Sequence, residues 1–254
     1  MKTSELLPHG LLLSFALFCG CATTVSKEDM QAKTASIKKL AVVSMLDEGI
    51  NVHHVTMLSM FEEMSLAPVQ GYKINGKVEQ MIAGRLRGKI ETVIRPQDRE
   101  RLVEFKQLKY MAYPDYNENL KPYLDELRSR EQIDALLIIA PYRHVVLDRP
   151  IDPITLNCKV PLAGHGIYSS WVGEATYFAC TASLYSTDIS DKQMFRMKPR
   201  VWRPCKIAPW PIKGPFKGTV KFTDFSEEQQ KFSLSELDKL IQEELPKNLA
   251  NLGL

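Results

Sequence analysis

The sequence predicts an α/β fold: a mixed sheet with helical crossovers in its first half, antiparallel strands in its second, and a closing C-terminal helix. Three observations carry that prediction. Strand-like runs alternate with segments of helical spacing through the first 140 residues. Two of those runs, 37–45 (IKKLAVVSM) and 133–140 (IDALLIIA), are almost continuously apolar, as strands buried on both faces are. Later, 175–185 (ATYFACTASLY) alternates apolar and polar residues, as a strand with two unlike faces does.

Taken in order, the chain opens on Lys2, an apolar run from Leu11 to Phe18, and small residues at Gly20 and Ala22. That layout is a secretory signal, and the run is about half of the ~20 residues a membrane-spanning helix needs. Residues 1–20 are read as the signal. Residues 21–36, small and polar without an apolar period, are read as a flexible tether. One domain, 37–254, follows.

Within it, Asp47-Glu48-Gly49 reads as a turn and 52–58 as a second strand that carries His53 and His54. Ile74, Val78, Met81, Ile82 and Leu86 share one helix face, and Gly88 sits where a helix stops. Residues 90–94 form a short strand, 97–109 a helix, and 120–127 another. Residues 150–171, with Pro150, Pro153, Pro161, Gly164 and Gly166, are expected as loop with a hairpin. In the strand 175–185, Phe178, Cys180, Ala182 and Leu184 face one way and Tyr177, Thr181, Ser183 and Tyr185 the other. Residues 220–225 return to the sheet, and Leu234–Leu249 is the closing helix, kinked or ended by Pro246.

The segment Phe18-Cys19-Gly20-Cys21 resembles the lipobox of bacterial lipoproteins. That resemblance implies a mature chain beginning at an acylated Cys21, and Ala22 after it implies the outer membrane; an ordinary secreted protein is the alternative. The element order is similar to a group of envelope α/β domains: the N-terminal domain of the Tol translocation protein B, the curli-secretion lipoprotein, and lipoprotein activators of penicillin-binding proteins. More narrowly, the chain resembles uncharacterised proteobacterial lipoproteins that end in a Leu-Gly-Leu tail, here Leu252-Gly253-Leu254. The resemblance implies a non-catalytic adaptor on the periplasmic face of the outer membrane.

Composition bounds function without naming it. Lys and Arg total 33 against 30 Asp and Glu, a balance too mild for a nucleic-acid binder, and none is expected as a partner. Outside the signal, no stretch is long and apolar enough to span a bilayer.

With Cys19 in the signal and Cys21 acylated, Cys158, Cys180 and Cys205 remain, which allows at most one bridge. Cys180 lies on an apolar strand face, so the bridge, if one forms, joins Cys158 and Cys205 in their Pro-rich loops. His53 and His54 point to opposite faces of a strand and lack the company of a metal motif. Gly84–Lys89 has the wrong spacing for a phosphate loop, and Ser36-x-x-Lys39 enters a strand where the penicillin-binding motif opens a helix. No catalytic set, metal site or cofactor is expected. Gly164-His165-Gly166 suits either a tight turn or the centre of a lipid-anchored hydrolase, and the turn is preferred.

The segment 192–221 holds nine basic residues and no acidic one, interleaved with five prolines, Trp202, Trp210 and Phe216. Its Arg200, Trp202, Arg203, Lys206 and Trp210 form the expected binding surface, with peptidoglycan or another envelope protein as partner besides the membrane that holds the lipid. A long solvated loop with its tryptophans packed inward is the competing reading. A third possibility is a subunit of a secretion or transport assembly, which would need more long alternating strands than 175–185.

Overall fold

The computed structural model describes residues 27–55, 62–103, 120–141, 143–145, 161–170, 173–188, 195–196, 207–208 and 221–254. Its strands are β1 (Lys39–Ser44), β2 (Ile50–Val55), β3 (Glu62–Ala67), β4 (Glu91–Ile94), β5 (Ala135–Pro141), β6 (Arg143–Val145), β7 (Pro161–Ser170), β8 (Gly173–Ser186), β9 (Phe195–Arg196) and β10 (Ile207–Ala208). The helices are α1 (Lys27–Ala35), α2 (Ile74–Leu86), α3 (Lys121–Glu131) and α4 (Glu227–Asn251).

One mixed sheet connects the strands, with pairing order β3-β2-β7-β8-β5-β1-β4. β1 is parallel to both β4 and β5, and β2 is parallel to β7. β5 and β7 both run antiparallel to β8, and β2 antiparallel to β3. β1 and β2 therefore run in the same sense, yet only Met45–Gly49 lies between them. Side-by-side parallel strands need a crossover of about a dozen residues or more, so β1 and β2 lie end to end. β5 and β7 do the same along β8: Pro141 pairs with Cys180, and Gly164 takes over at Ala179. A Cβ on Gly164 would stand 3.6 Å from that of Pro141. β8 is thus a spine along which two half-sheets are laid in line.

Both faces of the β1–β5 half are buried, which explains the unbroken apolar runs. Leu40, Val42, Leu137, Ile139, Phe178, Cys180, Ala182 and Leu184 join a core beneath α2 and α4. Ala41, Val43, Leu136, Ile138 and Tyr185 join a second core with Tyr123, Leu124 and Leu127 of α3. α2 contributes Ile74, Val78, Ile82 and Leu86, and α4 contributes Leu237, Leu240, Ile241, Leu245 and Leu249. Each such Leu or Ile contributes roughly 1.5–3 kcal/mol by burial. α2 and α4 are also joined by Asp238, which accepts from Tyr72 Oη at 3.0 Å and from Lys77 Nζ at 2.7 Å.

Several expectations are corrected. Residues 27–35 of the expected tether are helical; good helix formers make α1, and the buried Thr34 docks it by donating to the Leu252 carbonyl at 2.8 Å. Residues 161–170 are strand, because the small residues there let β7 pair closely with β2 and β8. Of the expected helix 97–109, the described part opens as a 3-10 turn at Pro96–Asp98, continues as turns over 99–102 and becomes helical at Val103. Residues 222–224 form a 3-10 turn instead of a strand, with Phe222 and Phe225 in the core. α4 continues past Pro246 to Asn251. β3 has no counterpart among the predicted strands.

Candidate functional site

In open α/β sheets, ligand chemistry gathers outside the carboxyl ends of the parallel strands. Here those ends belong to β4, β1 and β5, and the chain itself continues across two of them as β2 and β7. The interruption leaves backbone groups without strand partners, and side chains take their place. The Leu46 N–H donates to Asn75 Oδ1 at 2.8 Å, and Asn75 Nδ2 donates to the Leu46 carbonyl at 2.9 Å. The Asn75 amide therefore acts as one rung of a missing strand. Four residues along the same face of α2, Glu79 accepts from the Ser44 N–H at 3.0 Å. Arg99 completes the group: Nε donates to the Ser44 carbonyl at 2.8 Å, and its terminal nitrogen meets the Glu79 carboxylate at 2.7 Å.

The second half-sheet is tied to the same break. His165 is fully buried, and its Nε2 lies 2.7 Å from the Gly49 carbonyl. A carbonyl only accepts, so Nε2 carries the proton. Asn51 Nδ2 donates to the His165 carbonyl at 3.0 Å, and Cys180 Sγ reaches the Gly164 carbonyl at 3.6 Å. Burial, then the nearby Asp47, pushes the Cys180 thiol up, so it stays protonated and inert as a nucleophile. Burial, then Cys180 and Asp47, holds the Tyr177 phenol neutral. Its hydroxyl has no hydrogen-bond partner among the described residues. His165, in β7, therefore ties that strand to the connection between β1 and β2, and it sits neither in the expected turn nor in the open groove described below.

His53 and His54 are both buried in β2, and His53 stacks on its cross-strand neighbour Tyr168 with ring centroids 6.0 Å apart. Beyond the break, Tyr123 Oη donates to Asp98 at 2.7 Å, and Arg95 bonds both Asp98 and Glu131, fixing α3 to the turn after β4.

At the opposite end of the sheet lies an open groove of about 430 Å³, bordered by Lys33, Ser36, Arg128, Asp134, Thr187 and Asp188. Its polar groups are engaged with one another and with backbone. Arg128 pairs with Asp188 at 2.9 Å, Asp134 accepts from the Lys38 and Lys39 N–H groups, and Thr187 Oγ1 donates to the Ile133 carbonyl at 2.6 Å.

Cys180 is the buried thiol expected. Cys21, Cys158, Cys205 and the expected binding residues Arg200, Trp202, Arg203, Lys206 and Trp210 lie outside the described residues. Among the described residues, no group of three or more His, Cys, Asp or Glu side chains could hold a metal ion. No described helix is long and apolar enough to cross a membrane. Asn75, Glu79 and Arg99 escaped sequence reading. The one signal was polar residues at i and i+4 beside the apolar stripe of α2. Comparison with protein-family models, with curated proteins and with solved structures finds no match.

Proposed function

We propose that this chain is a lipid-anchored envelope protein whose α/β body serves as a non-catalytic binding or assembly module on the periplasmic face of the outer membrane. The observation that carries this reading is the short interval between Cys21 and the folded body. Only residues 22–26 separate Cys21 from α1, and α1 is docked through Thr34 to the C-terminal residues. At ~3.5 Å per residue such an interval reaches about 20 Å, which suits a body held against its membrane. The polar side chains at the carboxyl ends of β1 and β5 support the non-catalytic part, since they bond the backbone of the break.

In the test, Cys21→Ser is expressed beside the wild type, and membrane fractionation and fatty-acid labelling are compared. The wild type is expected to label and to sediment with outer membranes, because several acyl chains together anchor stably. The variant should appear as a soluble periplasmic form or an uncleaved precursor. Equal labelling and equal fractionation would remove the lipid anchor from the reading. Crosslinking in cells, followed by purification of the anchored protein, then identifies the partner.

A further inference from the structure

One end of the molecule collects exposed cations from separate elements. β1, β4 and β5 all start there, as the pairs Lys39–Glu91 and Leu40–Ala135 show. α2 ends there, because Leu86 leads through the Gly88 turn (φ +80°) directly into β4. α4 lies beside α2, with Asp238 against Lys77, and its end meets α1 through Leu252 and Thr34. Lys38, Arg85, Arg87 and Lys89 are exposed at this end, and none makes an ion pair among the described residues. Three acids at this end are occupied: Glu91 with Lys39 at 3.2 Å, Asp188 with Arg128, and Asp134 with two backbone N–H groups. A helix C-terminus accounts for a cation such as Arg85 in its last turn. It does not account for Lys38, which precedes a strand, or Lys89, which follows the Gly88 turn.

We propose that this pole lies against the anionic lipid headgroups of the leaflet that holds the Cys21 lipid. The proposal rests on the anchored reading above and adds an orientation and a partner to it. α1 joins the body at this pole, so the anchor delivers the pole, with its positive charge, to the membrane surface. Each Lys or Arg near an anionic surface strengthens binding on the order of five-fold, an effect that fades beyond about a Debye length.

The full-length chain, as purified from the cells that express it, is mixed with vesicles of phosphatidylcholine alone or with phosphatidylglycerol added, and lysine acetylation is followed by mass spectrometry. Lys38 and Lys89 should acetylate several-fold more slowly on the anionic vesicles, high salt should abolish the difference, and Lys231 in the first turns of α4 should not change. Arg85→Ser/Arg87→Ser should lose most of the protection at Lys89. Equal rates on the two vesicles, or full protection in the double variant, overturn the proposal. The mass of the N-terminal peptide reports Cys21 acylation separately. Acylation without protection sinks the orientation alone, and protection without acylation supports the cationic pole while removing the lipid anchor.

Discussion

Gly166 shows how tightly one residue can be specified. A Cβ there would stand 2.0 Å from the Asn51 carbonyl oxygen, and backbone in the middle of a sheet cannot retreat. Gly166→Ala is expected to separate β2 from β7 and destabilise by about 3 kcal/mol or more, the scale of the largest single-residue effects. Gly84, exposed in α2 with nothing within 4 Å of its added Cβ, is the control. Gly84→Ala should stabilise by about 0.5–1 kcal/mol. Urea midpoints of the two variants read both signs.

Tyr177 sets a pH dependence. The fold holds its phenol neutral, with its pKa above the unfolded value of about 10, because of burial, Cys180 and Asp47. Below that pH both states keep the proton and nothing changes. Above it, the unfolded chain releases a proton that the fold retains, so stability falls by up to about 1.4 kcal/mol per pH unit. Tyr177→Phe should be at least as stable at pH 7, since the hydroxyl has no partner among the described residues, and should lose less on raising the pH past 10. Denaturant unfolding at neutral and alkaline pH gives the comparison; a variant with the wild-type slope would place the alkaline loss elsewhere, for instance at Tyr72 or Tyr123, which are also held neutral by burial and a carboxylate.

At the scale of elements, the break between β1 and β2 needs α2 as much as α2 needs the core. Asn75 supplies both a donor and an acceptor to Leu46, and Glu79 with Arg99 holds Ser44. Asn75→Ala leaves a buried N–H and a buried carbonyl unsatisfied, at roughly 1–3 kcal/mol each before any relaxation. We expect a loss of about 2–4 kcal/mol in denaturant unfolding, well above that of an Ala substitution at exposed Gln80 on the same helix. A loss equal to that control would mean that the amide is not holding the strand end. The helix faces themselves were legible: Ile74, Val78, Ile82 and Leu86 repeat at the helical period, and the core takes them in that order. The 3-10 turns were not. Pro96–Asp98 and Phe222–Asp224 occupy segments whose apolar residues suit either a helix or a strand, and only their packing decides.

At the scale of the whole molecule, the sequence determined the fold class, the two-faced burial of β1 and β5, the facing of Phe178, Cys180, Ala182 and Leu184, and the closing helix. Each follows from a periodicity, and periodicity reports which sides of an element avoid water. What only the tertiary structure decided is how the strands are laid together. β1 and β2 read as separate strands, and nothing in their composition says that they run end to end. Likewise, the prolines and glycines of 150–171 read as loop, although Gly164 and Gly166 serve a strand pressed against β2 and β5. Residues 27–35 lack an apolar period, and their helix is docked by one buried threonine on a carbonyl 218 positions away. Contacts of that kind depend on residues that no local pattern relates: periodicity is a property of neighbours in the chain, and the in-line sheet, the side-chain rungs at its break and the docked N-terminal helix are properties of neighbours in space.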